Sequence, residues 1–166
     1  MLNIQVRQGV FETNSSSTHS ISIPCQTSLT IPEVIHFEIG EFGSDTSILS
    51  SMAAKASYLY TGFAANDRMK DAYDIILYLL SEGIAVTAED VVYDEYRYMM
   101  LNDGYMDHAN ELNGFLDAIV ANKDMMMRYL FSPYSFILTG SDNDYSFVID
   151  NKEVMEYASD FFYKGN

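Results

Sequence analysis

The sequence predicts an α+β fold: a single domain spanning residues 1–166, with a mainly antiparallel sheet and about four to five helices packed on it. Three observations predict it. Apolar residues alternate with polar ones near the N-terminus, at Leu2, Ile4 and Val6 and again at Ile21 and Ile23. The period lengthens to that of a helix after about residue 45. Alternation returns near Phe136–Leu138 and Tyr145–Ile149, around a Gly140-Ser141-Asp142-Asn143 turn, which reads as a C-terminal hairpin.

Each element follows from its pattern. Leu2–Val6 is a half-buried strand. Ile21 and Ile23, between serines, form a second strand that Pro24 stops. Residues 25–33 read as loop. Val34 to Phe42 reads as a third strand, ended by Gly40 and Gly43. Asp45 or Thr46 is placed to cap a helix through about Tyr60, with Ile48, Leu49, Met52, Ala53, Ala56 and Leu59 on one stripe. Asn66 or Asp67 is placed to cap a second, with Met69, Ala72, Tyr73, Ile76, Leu79 and Leu80 inward and Gly83 just past its end. Ile84–Val86 reads as a short strand. Residues 88–101 stay ambiguous between helix and strand, and Asn102-Asp103-Gly104 is a turn. Asp107 opens a third helix carrying Leu112, Phe115, Leu116, Ile119 and Val120. A helical piece over Met125–Phe131 follows, and a last helix covers about Lys152–Tyr163.

The charge balance excludes some functions. The chain carries 24 acids against 9 Lys and Arg, a net −15, although only 20% of its residues are charged. Residues 1–66 hold five of the acids and two of the bases, which leaves −12 for residues 67–166. Direct nucleic-acid binding is disfavoured, because its affinity comes from cations that release counterions. Anionic membrane surfaces are disfavoured on the same ground. No run of ~18 apolar residues suits a membrane span, and the first residues read as the start of the domain rather than a signal peptide. The single cysteine, Cys25, has no internal disulfide partner and fits a reducing, cytoplasmic setting. Its simplest role is a small, half-buried thiol without metal.

Two segments concentrate chemistry. The first is the polar run from Arg7 to Ser20. Within Glu12–Ser20 it holds a carboxylate, an amide, an imidazole and six hydroxyls. Arg7, Asn14, Ser15, Ser16, Ser17 and Thr18 suit an anion or nucleotide phosphate. His19 suits a general base toward a serine such as Ser16, with Glu12 orienting it. The same Thr, Asn and Ser residues also make turns that merely hold a loop's shape. The second segment is the acidic stretch Glu82–Glu111, whose only base is Arg97. Glu89, Asp90, Asp94 and Glu95, interleaved with Tyr96 and Tyr98, suit docking to a basic protein cleft. They equally suit a solvated face that keeps the chain soluble.

Other motif classes fail. There is no phosphate-binding glycine motif. His19, His36, His108 and Cys25 stand at no zinc spacing. Asp142-Asn143-Asp144 lacks the glycine that a calcium loop needs at its sixth position, where Phe147 stands. Arg7, Ser17 and Thr18 without a Glu-x-Glu fall short of an ADP-ribosyl transfer set. No cofactor or metal is expected. Met99-Met100 and Met125-Met126-Met127 read as core gap fillers.

The run R-x-G-V-F-E-T-N-S-S-S-T-H-S over Arg7–Ser20 resembles the opening of a family of small bacteriophage and bacterial proteins. Weaker likeness extends over Gly40–Gly43 and Ala56–Thr61. The resemblance implies a phage or mobile-element setting and carries no mechanism. The reading that results is an acidic accessory protein that binds and inhibits a host protein through its acidic, tyrosine-rich face. The alternative is an enzyme or a nucleotide- or phosphate-binding protein built on the Glu12–Ser20 loop.

Overall fold

The computed structural model describes residues 17–43, 46–95, 100, 102–141 and 161–165. It has an α+β architecture with one continuous apolar core. The strands are β1 (Ser17–Ile23), β2 (Val34–Phe37), β3 (Glu41–Phe42), β4 (Ser47–Leu49), β5 (Ala85–Ala88), β6 (Tyr105–Met106), β7 (Phe136–Ser141) and β8 (Phe161–Gly165). The helices are α1 (Met52–Ala65), α2 (Met69–Ser81), α3 (Asn113–Ala121), preceded by a 3-10 turn at Ala109–Leu112, and α4 (Lys123–Phe131).

An antiparallel sheet has the order β4-β7-β1-β8. β1 lies between β7 and β8 because its sequence suits an interior strand. Strict alternation turns His19, Ile21 and Ile23 to one face, and all three are fully buried. Two short parallel pairs, β2 with β5 and β3 with β6, stand apart from this sheet. The third strand expected over Val34–Phe42 is therefore split. Between its halves the backbone N–H of Ile39 donates to the Glu89 carboxylate and that of Gly40 to the Thr61 hydroxyl. Donors given to side chains cannot serve a ladder.

α1 is the central helix, buried on all sides from Lys55 to Ala64. Burying side chains such as Leu59 and Phe63 contributes about 1.5–3 kcal/mol each. Its cap is Ser51, whose hydroxyl accepts the Ala54 N–H at 3.1 Å. The expected start at Asp45 or Thr46 is corrected. Ser47–Leu49 pairs with β7 instead, since tertiary pairing overrides a weak helical pattern rich in Ser and Ile.

Asn66 and Asp67 close α1 rather than open α2. The Asn66 amide donates to the Gly62 and Ala109 carbonyls, and Asp67 takes a left-handed φ of 56°. Arg68 then bridges Asp71, Asp117 and Asn113, tying α2 to α3. Gly83, at φ 83°, ends α2 as expected. Tyr73 and Leu80, expected inside, are instead 55% and 48% exposed. Asp107 opens no helix, because His108 at φ 50° breaks the turn and the 3-10 segment and α3 follow.

Near the C-terminus, residues 161–163 are strand and not helix. Phe161, Phe162 and Tyr163 have strand propensity and pair with Ile23, Ser22 and Ile21. Leu2–Val6, Tyr145–Ile149 and residues 152–160 lie outside the described residues. No helix among the described residues is long and apolar enough to cross a membrane.

Candidate functional site

The polar run predicted to carry chemistry ends in a locked joint. Arg7, Glu12, Asn14, Ser15 and Ser16 lie outside the described residues. Ser17 and Thr18 belong to β1, with their backbones opposite Ser141 and Gly140. His19 sits on the core face of β1. Its Nε2 is 2.7 Å from the Asp107 carbonyl oxygen, which accepts only, so Nε2–H is the donor there. Nδ1 then carries the lone pair that accepts the Tyr58 hydroxyl at 2.8 Å. The rings of His19 and Tyr58 lie 5.8 Å apart, and Phe42 packs edge-on against Tyr58. Gly43, at φ 100°, passes over the imidazole. A Cβ there would come within 3.2 Å of His19 Cε1 and 3.0 Å of Asp107 Cβ.

Burial pushes the His19 pKa below its ordinary value. The carbonyl bond to Asp107 and the Asp107 and Glu111 carboxylates pull it partly back. The ring is neutral at neutral pH with both nitrogens committed to protein partners. A neutral imidazole so bonded has no lone pair left for a serine hydroxyl. The general-base role expected of His19 is therefore replaced by a structural one, joining β1, α1 and the segment after β6. Beside it, His108 Nδ1 meets Glu111 Oε1 at 3.1 Å, and Asp107 Oδ1 accepts the Tyr105 hydroxyl and the His108 N–H.

Between β5 and β6 the described residues of the acidic stretch form a loop, bridged from Tyr93 to Met100. Asn102 is its organiser. The Asn102 amide donates to Glu89 Oε1 and to the Asp90 carbonyl, each at 2.8 Å, and its oxygen accepts the Val92 N–H at 2.7 Å. The second Glu89 oxygen accepts the Ile39 N–H at 2.9 Å. These bonds, first Ile39 and then Asn102, hold the Glu89 carboxyl below its ordinary pKa. The Tyr60 hydroxyl donates to the Glu89 carbonyl and the Tyr93 hydroxyl to the Ala64 carbonyl, fastening the loop to α1.

The partner-binding residues expected from sequence thus divide. Glu89 is spent on the fold, Asp94 is half-buried, and Asp90 and Glu95 face solvent, as does Asp103. Tyr96 and Tyr98 lie outside the described residues. Three of the described cations are held within the fold. Lys55 is buried, Arg68 is held by Asp71 and Asp117, and Arg128 is held by Asp124 and the Pro24 carbonyl.

Lys55 is a buried group the sequence reading passed over. Its Nζ donates to the Ser132 carbonyl at 2.8 Å and to the Ser135 hydroxyl at 2.7 Å, while Ser135 donates onward to the Tyr129 carbonyl. Burial brings its pKa down to about 8. The signal was a lysine inside Met52-Ala53-Ala54-Lys55-Ala56, a helix apolar all round and so buried all round. Asn102 had no comparable signal, since one Asn in a turn predicts only the turn. Cys25, expected half-buried, is exposed. It follows Pro24 at the point where β1 leaves the core. Met125 and Met126 fill the core as expected. Among the described residues, no three of His, Cys, Asp or Glu are grouped to hold a metal ion.

Comparison with protein-family models, with curated proteins and with solved structures finds no match to this chain.

Proposed function

We propose that the chain is a phage-type accessory protein, acting in the host cytoplasm, that binds and inhibits a basic host protein through the acidic loop 89–103. One observation carries this reading. Asn102 gathers Glu89, Asp90 and Val92 into a loop fastened to α1, and Asp90 and Glu95 stand in solvent on that support. A basic partner offsets the negative charge of the loop on binding. A pre-shaped loop also lowers the ordering entropy of association. The field of a chain at −15 attracts a basic cleft across a Debye length of ~8 Å and repels a polyanion. The partner's basic cleft is one that otherwise meets nucleic acid, so the protein competes with nucleic acid and does not bind it.

The test is capture of basic proteins from a bacterial lysate at rising salt, followed by purification of the captured partner and a measured affinity. Reversal of Asp90 and Glu95 to Lys weakens that affinity mainly through the association rate. A captured partner indifferent to both salt and reversal, or micromolar binding of the chain to plain duplex DNA, overturns the proposal.

A further inference from the structure

Lys55 stands at the seam between α1 and the turn that joins α4 to β7. It is 1% exposed, and the turn residues Ser132 and Ser135 are 1% and 0% exposed. The Lys55 Nζ has two acceptors in that turn, the Ser132 carbonyl at 2.8 Å and the Ser135 hydroxyl oxygen at 2.7 Å. Ser135 only accepts from Lys55, because its own hydrogen goes to the Tyr129 carbonyl at 2.7 Å or the Ser132 carbonyl at 3.0 Å. Two acceptors match the two N–H groups of a neutral amine. An ammonium brings a third N–H, which meets neither another acceptor nor a carboxylate among the described residues.

The neighbouring elements supply no counter-charge. On α4, the buried Tyr129 hydroxyl donates to the Lys55 backbone carbonyl at 2.8 Å and is held protonated by burial, while Arg128 turns to Asp124 and Pro24. On α1, Tyr58 is committed to His19 of β1. The turn also anchors a second segment. The Thr27 hydroxyl meets Ser132 Oγ at 3.1 Å, and the Thr30 N–H donates to the Phe131 carbonyl at 3.0 Å.

We propose that Lys55 is a proton-operated latch on the hinge between α4 and β7: the neutral amine holds the turn 132–135 closed, and protonation opens that turn and the segment 24–30 fastened to it while the rest of the fold stays closed. Protonation in place buries a charge with no counter-ion, and opening returns that charge to water. Burial alone brings the amine down to about 8, so the closed turn is favoured in full above the ordinary lysine value of 10.5 and loses that advantage as pH falls to about 8.

The experiment measures amide exchange of the full chain, residue by residue, at about pH 9.5 and about pH 7.5, corrected for the intrinsic rate. Protection of the Thr30 and Ser132 amides is expected to be about tenfold or more lower at the lower pH. The Ile84 amide, bonded to the Leu79 carbonyl at the end of α2, is expected to hold steady. Lys55→Met removes the pH dependence of the turn, whatever protection it leaves. A second measurement needs no variant: the labelled Lys55 side chain is titrated by NMR in the wild type. Its signal is expected to move with a midpoint near 8, and the Ser135 amide shift to follow it. A midpoint at the ordinary lysine value, turn protection indifferent to pH, or a pH dependence that survives Lys55→Met overturns the proposal. An equal fall at Ile84 makes the effect global and overturns it as well.

Discussion

The His19 joint and the acidic loop are both polar places, and they treat their polar groups in opposite ways. At the joint, every hydrogen-bonding atom of the imidazole is matched inside the protein, by Tyr58 on α1 and by the Asp107 carbonyl. In the loop the acidic side chains are treated unequally. Glu89 is matched by Ile39 and Asn102, while Asp90 and Glu95 are left to water. A buried polar group with all its partners specifies a structure and resists change. A row of solvated charges on a fixed backbone contributes little to folding and remains available to another molecule. The difference separates the part of this chain that holds the fold from the part we propose meets a partner.

The sharpest way to break that contrast is at the joint. His19→Phe leaves the buried Tyr58 hydroxyl and Asp107 carbonyl without their ring partners, and is expected to cost about 2–4 kcal/mol of unfolding free energy in urea titrations. A change well under 1 kcal/mol would mean the joint is not structural and would reopen a catalytic role. The wild-type joint also gives a pH signature. Because the folded His19 pKa lies below that of the unfolded chain, its stability is fully present above the unfolded value of ~6.5 and is lost as pH falls through the folded one. Tyr58→Phe should change that acid limb.

Asn102→Ala tests the loop from the fold side. It removes the bonds to Glu89, Asp90 and Val92, at an expected cost of about 1–2 kcal/mol. Amide exchange should quicken over residues 89–95 and remain unchanged in β1. Exchange that quickens equally in both would erase the distinction between the two regions.

Lys55 gives the smallest effect. With its folded pKa near 8 against 10.5 unfolded, the fold prefers the neutral amine. Its contribution is complete above the unfolded value and is lost as pH falls through about 8. Stability from this group therefore rises between pH 7 and 9.5, by something on the order of 1 kcal/mol. That window precedes the tyrosines, whose buried members Tyr60 and Tyr129 titrate higher in the fold and act in the opposite direction. Lys55→Met should remove the rise, and an unchanged slope would show that water reaches the ammonium.

The parts of this fold that followed from short-range pattern were legible in the sequence. Ile21 and Ile23 marked β1, and Gly83 marked the end of α2 through a backbone angle that suits glycine. The same alternation read one step further back would have placed His19 in the core, because position 19 shares a face with 21 and 23. Long-range competition was not legible. Ser47–Leu49 carries a weak helical stripe, and β7 claimed it as an edge strand. Val34–Phe42 reads as one strand, and the Glu89 and Thr61 side chains took its central donors. For the loop, composition revealed the charge, but only the three-dimensional position of Asn102 shows which acids are spent and which are free. The large apolar residues that α2 leaves exposed are Tyr73, Leu77 and Leu80. Their exposure depends on which neighbours reach the helix, which no window of residues contains.

The central claim is that the solvated acids of the loop, and not the polar run ending at His19, make the contact with a basic partner. The direct measurement is the association rate of the captured host protein with three forms of the chain: wild type, Asp90→Lys/Glu95→Lys, and Glu12→Lys. The account predicts that the loop reversal slows association about tenfold or more at low salt, that added salt slows the wild type toward the same rate, and that Glu12→Lys matches the wild type. An association rate lowered by Glu12→Lys and untouched by the loop reversal would contradict it.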